Sequence, residues 1–190
     1  MLKPIEKIFI HCSDSEFGHA FMIDKWHKAR GFDMCGYNEI LLNGYPTADW
    51  KKNDKKVPYL EGSVETGRAI DTDNMLDDSE TGAHVKGQNF ISYGICIIGK
   101  NDFSDKVLNK ALEVVKYRLV QFGLKPKDVY GHYEADDLKT CPNINMHKFR
   151  EHLVMGTKYG EENKPIIADE RTELSLRALV ISLFKKIFKR

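Results

Sequence analysis

Residues 91–99 read ISYGICIIG, and both alternating sets of positions in this run are dominated by apolar side chains. A strand with one wet face alternates polar and apolar residues, whereas a strand covered on both faces does not. The run therefore implies a central strand with a layer on each side. The downstream stretch DKVLNKALEVVKYRLVQFG (105–123) repeats apolar residues at i, i+3, i+4 and i+7 and stops at Gly123, the pattern of an amphipathic helix. DVYGH (128–132) then reads as a strand that delivers His132, and NMHKFREHLV (145–154) as a short closing helix.

Upstream, IEKIFIHC (5–12) is a β-branched and aromatic run read as a strand ending at His11. HAFMIDKWHKARGF (19–32) has helical apolar spacing at Phe21, Met22, Trp26 and Ala29, with Gly31 as its stop. NEILLNG (38–44) reads as the next strand, PTADWKKNDKKV (46–57) as a surface loop or hairpin excursion, and PYLEG (58–62) and VETGRA (64–69) as two short strands around a glycine turn. Strands and helices interleave, which places the chain in the α/β class with a central mixed sheet flanked by helices. The sequence divides into a core domain over 1–155, a polar linker over 156–169 and a basic amphipathic helix over 170–190.

The bulk numbers narrow the function classes. With 29 basic and 28 acidic residues among 190, composition gives no push toward nucleic acid. Four cysteines are too few for a disulfide scaffold, so reduced thiols are expected. The N-terminal MLKPIEKIFIHCSD shows no apolar run with a small-residue cleavage site, hence no secretory signal is read there.

GHYEADDLKTCP (131–142) sets His132, Lys139 and Cys141 close together just after a strand. A catalytic zinc takes three protein ligands and keeps one position open, with histidine nitrogen and cysteine thiolate among its preferred donors. His132 and Cys141 supply two such donors, and His11, at the end of the first strand, is placed to supply a third. Taken singly, a histidine at a strand end is more often structural than metal-bound, and a buried cysteine is more often a small apolar filler.

Four blocks in order change that weighing. IFIHCSDS (8–15), WHKARGFDMCGYNEIL (26–41), TGAHVKGQNFISYGICIIG (81–99) and GHYEADDLKTCP together resemble the zinc-dependent N-acetylmuramoyl-L-alanine amidases of the type 2 family. That family includes phage amidase-type lysozymes and, more distantly, peptidoglycan recognition proteins. The resemblance spans roughly residues 5–153. It implies one Zn2+ per chain held by His11, His132 and Cys141, with Tyr37 and Lys139 as catalytic side chains. It also implies an endolysin that cuts the amide between N-acetylmuramic acid and L-alanine in bacterial peptidoglycan, made in the host cytoplasm and acting on the periplasmic wall. The competing readings are a non-catalytic peptidoglycan-binding module and a polymerase-regulating phage protein. Cys141, which inactive binding relatives lack, argues for the enzyme.

Two departures from the family pattern stand out. Asn38 occupies the place directly after the tyrosine where the family usually has histidine, which puts tuning or substrate contacts in doubt. The loop between His132 and Cys141 is one residue longer than in the coliphage enzymes. His84 matches a position that lines the family's cleft, and substrate contact and structural hydrogen bonding both stay open for it. His19, His27, His147 and His152 read as surface or packing residues. In the last stretch, RTELSLRALVISLFKKIFKR (171–190), Arg and Lys outnumber acids to give a net charge of +5. Residues 171–190 thus read as an element for an anionic membrane or lipopolysaccharide surface, the alternative being that the apolar side packs on the domain or on another subunit.

Overall fold

The structure is a computed structural model that describes residues 2–161. Its strands in chain order are β1 (Lys3–Pro4), β2 (Lys7–Cys12), β3 (Glu39–Leu41), β4 (Val64–Thr66), β5 (Met75–Leu76), β6 (Ser92–Ile97) and β7 (Val129–Gly131). The helices are α1 (Ala20–Ala29), α2 (Ala48–Lys52), α3 (Asp105–Phe122) and α4 (Met146–Met155). Five strands form one sheet in the order β4-β3-β6-β2-β7, and β1 pairs with β5 apart from it. Only the β3–β4 pair in the five-stranded sheet is antiparallel, so the sheet is mixed, as the interleaved pattern implies.

The doubly apolar run takes the middle of that sheet. All six residues of β6 are buried. Strand alternation sends Ile95 and Ile97 to one face, where they join Ile8, Ile10, Leu112, Val115 and Phe149 under α3 and α4. It sends Cys96, with Ile98 just past the strand, to the other face, with Ile23, Cys35 and Ile40 under α1. Truncating a fully buried isoleucine such as Ile95 to alanine would cost about 2–5 kcal/mol.

Local chemistry sets the ends of the helices. Ser104 caps α3 by accepting from the Val107 N–H, and Gly123 closes it in the left-handed conformation at φ 67°. Asn145 caps α4 by accepting from the Lys148 N–H. The strand read to end at His11 runs one residue further, through Cys12. The excursion at 46–57 contains α2. The expected strand at 58–62 is absent: Leu60 N–H donates to the Val57 carbonyl and Ser63 N–H to the Leu60 carbonyl, which coils Pro58–Gly62 into turns. Its place beside β3 goes to β4 alone. Beyond α4, Tyr159 docks on α3, its N–H donating to Asn109 Oδ1 at 2.8 Å. The helix expected at 170–190 lies outside the described residues. Among those described, no helix is long and apolar enough to cross a membrane.

Candidate metal centre

Strand alternation fixes where the first histidine points. Ile8 and Ile10 face α3 and α4, so Phe9 and His11 face the α1 side. β7 lies beside β2 in parallel and ends at Gly131, so His132 leaves the sheet at the same edge. The chain then runs through a helical turn and loops back, where Tyr133 N–H donates to the Cys141 carbonyl at 2.9 Å. One donor atom from each of His11, His132 and Cys141 lies within 4.8 Å of the others, and these residues form the one such cluster among the described residues. His11 Nδ1 faces Cys141 Sγ at 3.8 Å, and the His11 and His132 ring centres are 4.8 Å apart.

The surroundings prepare these donors. Burial pulls the His11 pKa well below the ordinary histidine range, and His84 and His132 add to the effect. Burial lowers His132 as well, with Lys139 contributing. Both rings are therefore neutral near pH 7, with a lone pair to offer. The hydrogen bond to the Cys12 thiol and burial push the Cys141 thiol up. A coordinated cation reverses that, because a metal-bound thiol is deprotonated. The Cys12 backbone N–H, 3.2 Å from Cys141 Sγ, is positioned to stabilise the thiolate.

A cavity of about 420 Å³ opens beside the cluster and is lined by His132, Cys141, Lys139 and Tyr37, and by Trp26, His27 and Arg30 from the end of α1. Tyr37 sits with its ring centre 5.0 Å from that of His11, and burial pushes its hydroxyl pKa well above the usual value. Lys139 is at the exposed rim, in a turn where its N–H donates to the Asp136 carbonyl. His84 is not among the cavity-lining residues. It is 7% exposed, with Nδ1 3.1 Å from His11 Nε2, and the absence of a side chain at Gly94 makes room for its ring. A Cβ at Gly94 would stand 2.7 Å from His84 Cδ2. Of the two roles left open for His84, the contact present is the hydrogen bond.

Two residues do more than a reading of the sequence assigns them. His27, expected as surface or packing, is buried against Tyr37 with ring centres 5.2 Å apart and borders the cavity. Arg68 is 3% exposed and pins the tyrosine segment: it grips the Asp33 carboxylate, donates through Nε to the Cys35 carbonyl at 3.1 Å, and its own N–H donates to the Tyr37 carbonyl. A buried arginine in the bend just after a short polar strand has no periodicity to betray it. Asn38 is likewise structural. Its Oδ1 accepts from Gly94 N–H at 2.8 Å and its Nδ2 donates to the Arg68 carbonyl, so the residue that replaces the family histidine ties β6 to the tyrosine segment.

The family model for N-acetylmuramoyl-L-alanine amidase (Amidase_2) matches residues 2–144, and the chain belongs to that family. It is an endolysin-type amidase that acts on peptidoglycan. The chain is 31% identical over 157 residues to the endolysin of Klebsiella phage KP32, covering 76% of this chain and 85% of the relative. It is 27% identical over 155 residues to the endolysin of Escherichia phage T7, covering 77% and 85%. Among solved structures, the endolysin N-acetylmuramoyl-L-alanine amidase LysCS of Clostridium intestinale superposes with a TM-score of 0.61 at 18% identity, over 80% of this chain and 84% of that one. Drosophila PGRP-LB superposes with a TM-score of 0.53 at 20% identity, over 80% and 84%. These last two show a shared fold.

Proposed function

We propose that this amidase is zinc-dependent, with one Zn2+ held by His11, His132 and Cys141, and that it cleaves the bond between the muramic acid lactyl group and L-alanine. The observation that carries the reading is the convergence of the three donors within 4.8 Å, with His132 and Cys141 at the wall of a cavity that Tyr37 and Lys139 also line. Tetrahedral zinc with nitrogen at about 2.0–2.1 Å and sulfur at about 2.3 Å spaces its ligands roughly 3.5 Å apart, so the set needs only a small contraction. Two neutral imidazoles and one thiolate leave a formal charge of +1 on the loaded site. The ion would supply Lewis acidity and a nucleophile derived from water at neutral pH.

The chain's own groups divide the remaining work. His11 offers Nδ1 to the metal while its Nε2–H donates to His84 Nδ1, so His84 fixes the tautomer and angle of the ligand ring. Tyr37, with its pKa raised, keeps its proton and donates to the oxyanion that forms on the scissile carbonyl. Lys139 brings a positive charge to the same oxygen from the rim. The test is loss and recovery. Release of stem peptides beginning with L-alanine from purified peptidoglycan should stop on treatment with a strong chelator and return with about one equivalent of zinc. Undiminished activity in metal-free protein would overturn the proposal.

The endolysin relatives support the setting we propose: synthesis in a host cytoplasm and action on the periplasmic wall at lysis. Residues 171–190, with their +5 charge, would add attraction to an anionic membrane or lipopolysaccharide surface. Deleting the chain after Pro165 should leave hydrolysis of bare peptidoglycan intact and reduce killing of whole Gram-negative cells. Equal killing by both forms would remove the membrane role.

A further inference from the structure

Cys12 is a nucleophilic side chain that the amidase chemistry does not use, and it lies against a metal donor. It follows His11 at the end of β2, and its backbone N–H is 3.2 Å from Cys141 Sγ. Its carbonyl oxygen is 3.8 Å from the same sulfur, and the two thiols are hydrogen-bonded to each other. With an N–Cα bond of about 1.46 Å, the Cys12 Cα stands within about 4.7 Å of the Cys141 sulfur. Side chains that rise from backbones this close are the kind a disulfide can join.

Packing does not account for Cys12. A buried cysteine is by default a small apolar filler. Cys12, 6% exposed, belongs to neither of the two apolar clusters and borders the cavity, as Cys141 does. Cys35 and Cys96, by contrast, pack in the α1-side cluster. Past Cys141 the chain is tied across Cys12: Asn143 Nδ2 donates to the Lys100 carbonyl at 2.8 Å and lies 3.8 Å from Cys12 Sγ. Both sulfurs are held side by side at a wall that a small oxidant reaches from solvent.

We infer that Cys12 and Cys141 form a site of reversible oxidation, at which peroxide joins the two sulfurs as a disulfide and removes Cys141 from the donor cluster. Peroxide is the two-electron oxidant. Its O–O bond breaks as one oxygen passes to Cys12 Sγ, giving the sulfenic acid and one water. The Cys141 sulfur then attacks Cys12 Sγ, the S–O bond breaks, and the oxygen leaves as a second water. Both thiol hydrogens end in the two waters; where Cys141 starts as a thiolate, a solvent proton takes the place of its hydrogen. A disulfide sulfur carries no thiolate charge, so two histidines remain of the three donors. Loss of metal rests on the proposed zinc site, whereas the joining of the sulfurs does not. An enzyme that works outside the reducing cytoplasm, the setting proposed for this one, keeps its metal only while the pair stays reduced.

The test uses the zinc-loaded full chain, treated with hydrogen peroxide and alkylated without reductant. Intact mass, a peptide map and zinc release to a colorimetric chelator are read together. The inference expects a mass lower by two hydrogens, a cross-link between the peptides of Cys12 and Cys141, and zinc falling from about one per chain to near zero. Dithiothreitol followed by zinc should restore both metal content and release of stem peptides. Cys12→Ser should show no cross-link and should gain oxygen on Cys141 instead, a product that dithiothreitol does not fully reverse. Wild-type protein that only gains oxygen, or a cross-link through Cys35 or Cys96, overturns the inference. So does a Cys12→Ser chain that loses zinc as reversibly as wild type. Should that variant fail to fold, the wild-type map decides alone. A Cys12–Cys141 cross-link in protein that takes up no zinc would support the thiol pair and sink the zinc reading instead.

Discussion

Two loops meet at the cavity, and they are held in different ways. Residues 33–38, which carry Tyr37, are fastened by long-range bonds from four directions. Asp24 accepts from Cys35 N–H at 2.8 Å, His27 accepts from Gly36 N–H, Arg68 grips Asp33 and the Cys35 carbonyl, and Gly94 accepts from Asn38 N–H at 2.8 Å. Residues 132–141, which carry His132 and Cys141 of the donor cluster and Lys139, are anchored at their start by the Glu134–Arg150 pair, and at the tip their bonds are local. Leu138 at that tip is 93% exposed. The comparison teaches that the protein builds the tyrosine position by itself. The lysine loop instead relies on its two ends, His132 and Cys141, both members of the donor cluster.

The largest expected effect is on turnover. Tyr37→Phe and Lys139→Ala should each lower kcat by about 100- to 1,000-fold, the usual cost of one oxyanion donor, with zinc content unchanged. Steady-state rates read beside metal analysis decide this; zinc lost in step with activity would make the two side chains structural. Next comes Arg68→Gln, which strands buried carbonyls of the tyrosine segment. Chemical denaturation should show a loss of about 2–4 kcal/mol, and a variant as stable as wild type would mean the segment does not depend on this clamp.

Smaller is the proton linkage of metal loading. His11 and His132 are already neutral and Cys141 still carries its proton near pH 7, so zinc binding must displace about one proton, and affinity must rise with pH. Calorimetry in two buffers of different ionisation enthalpy counts that proton; a count of zero would remove the cysteine from the ligand set. Smallest of all, Leu138→Ser at the loose loop tip should change stability by no more than about 0.5 kcal/mol, in contrast to any substitution at Arg68.

How much of this was legible depends on the kind of signal. The central strand and α3 announce themselves by period, because burial on both faces or on one stripe leaves an apolar pattern. The donors His11, His132 and Cys141 are visible through ordered motif blocks, and the sheet then explains why residues 121 positions apart in the sequence meet, since β2 and β7 are parallel neighbours. Arg68 was hidden, and so were the bonds that Asn38 and His27 make, although both residues were named in the sequence reading. Each acts through backbone groups distant in sequence, and a hydrogen bond to a carbonyl of another segment leaves no mark on residue spacing. The glycine inside the central strand is the one local hint, for Gly94 is where the His84 ring approaches the sheet.

The central claim is that Cys141, and no other thiol, completes a zinc site with His11 and His132. Cys35 is the fitting control, since it is buried near Tyr37 in the α1-side core and belongs to no donor cluster among the described residues. Zinc per chain, measured in purified wild-type, Cys141→Ser and Cys35→Ser proteins, tests this directly. The account predicts about one zinc in wild type and in Cys35→Ser and a large loss in Cys141→Ser. Equal zinc in all three, or loss in both variants alike, would contradict it.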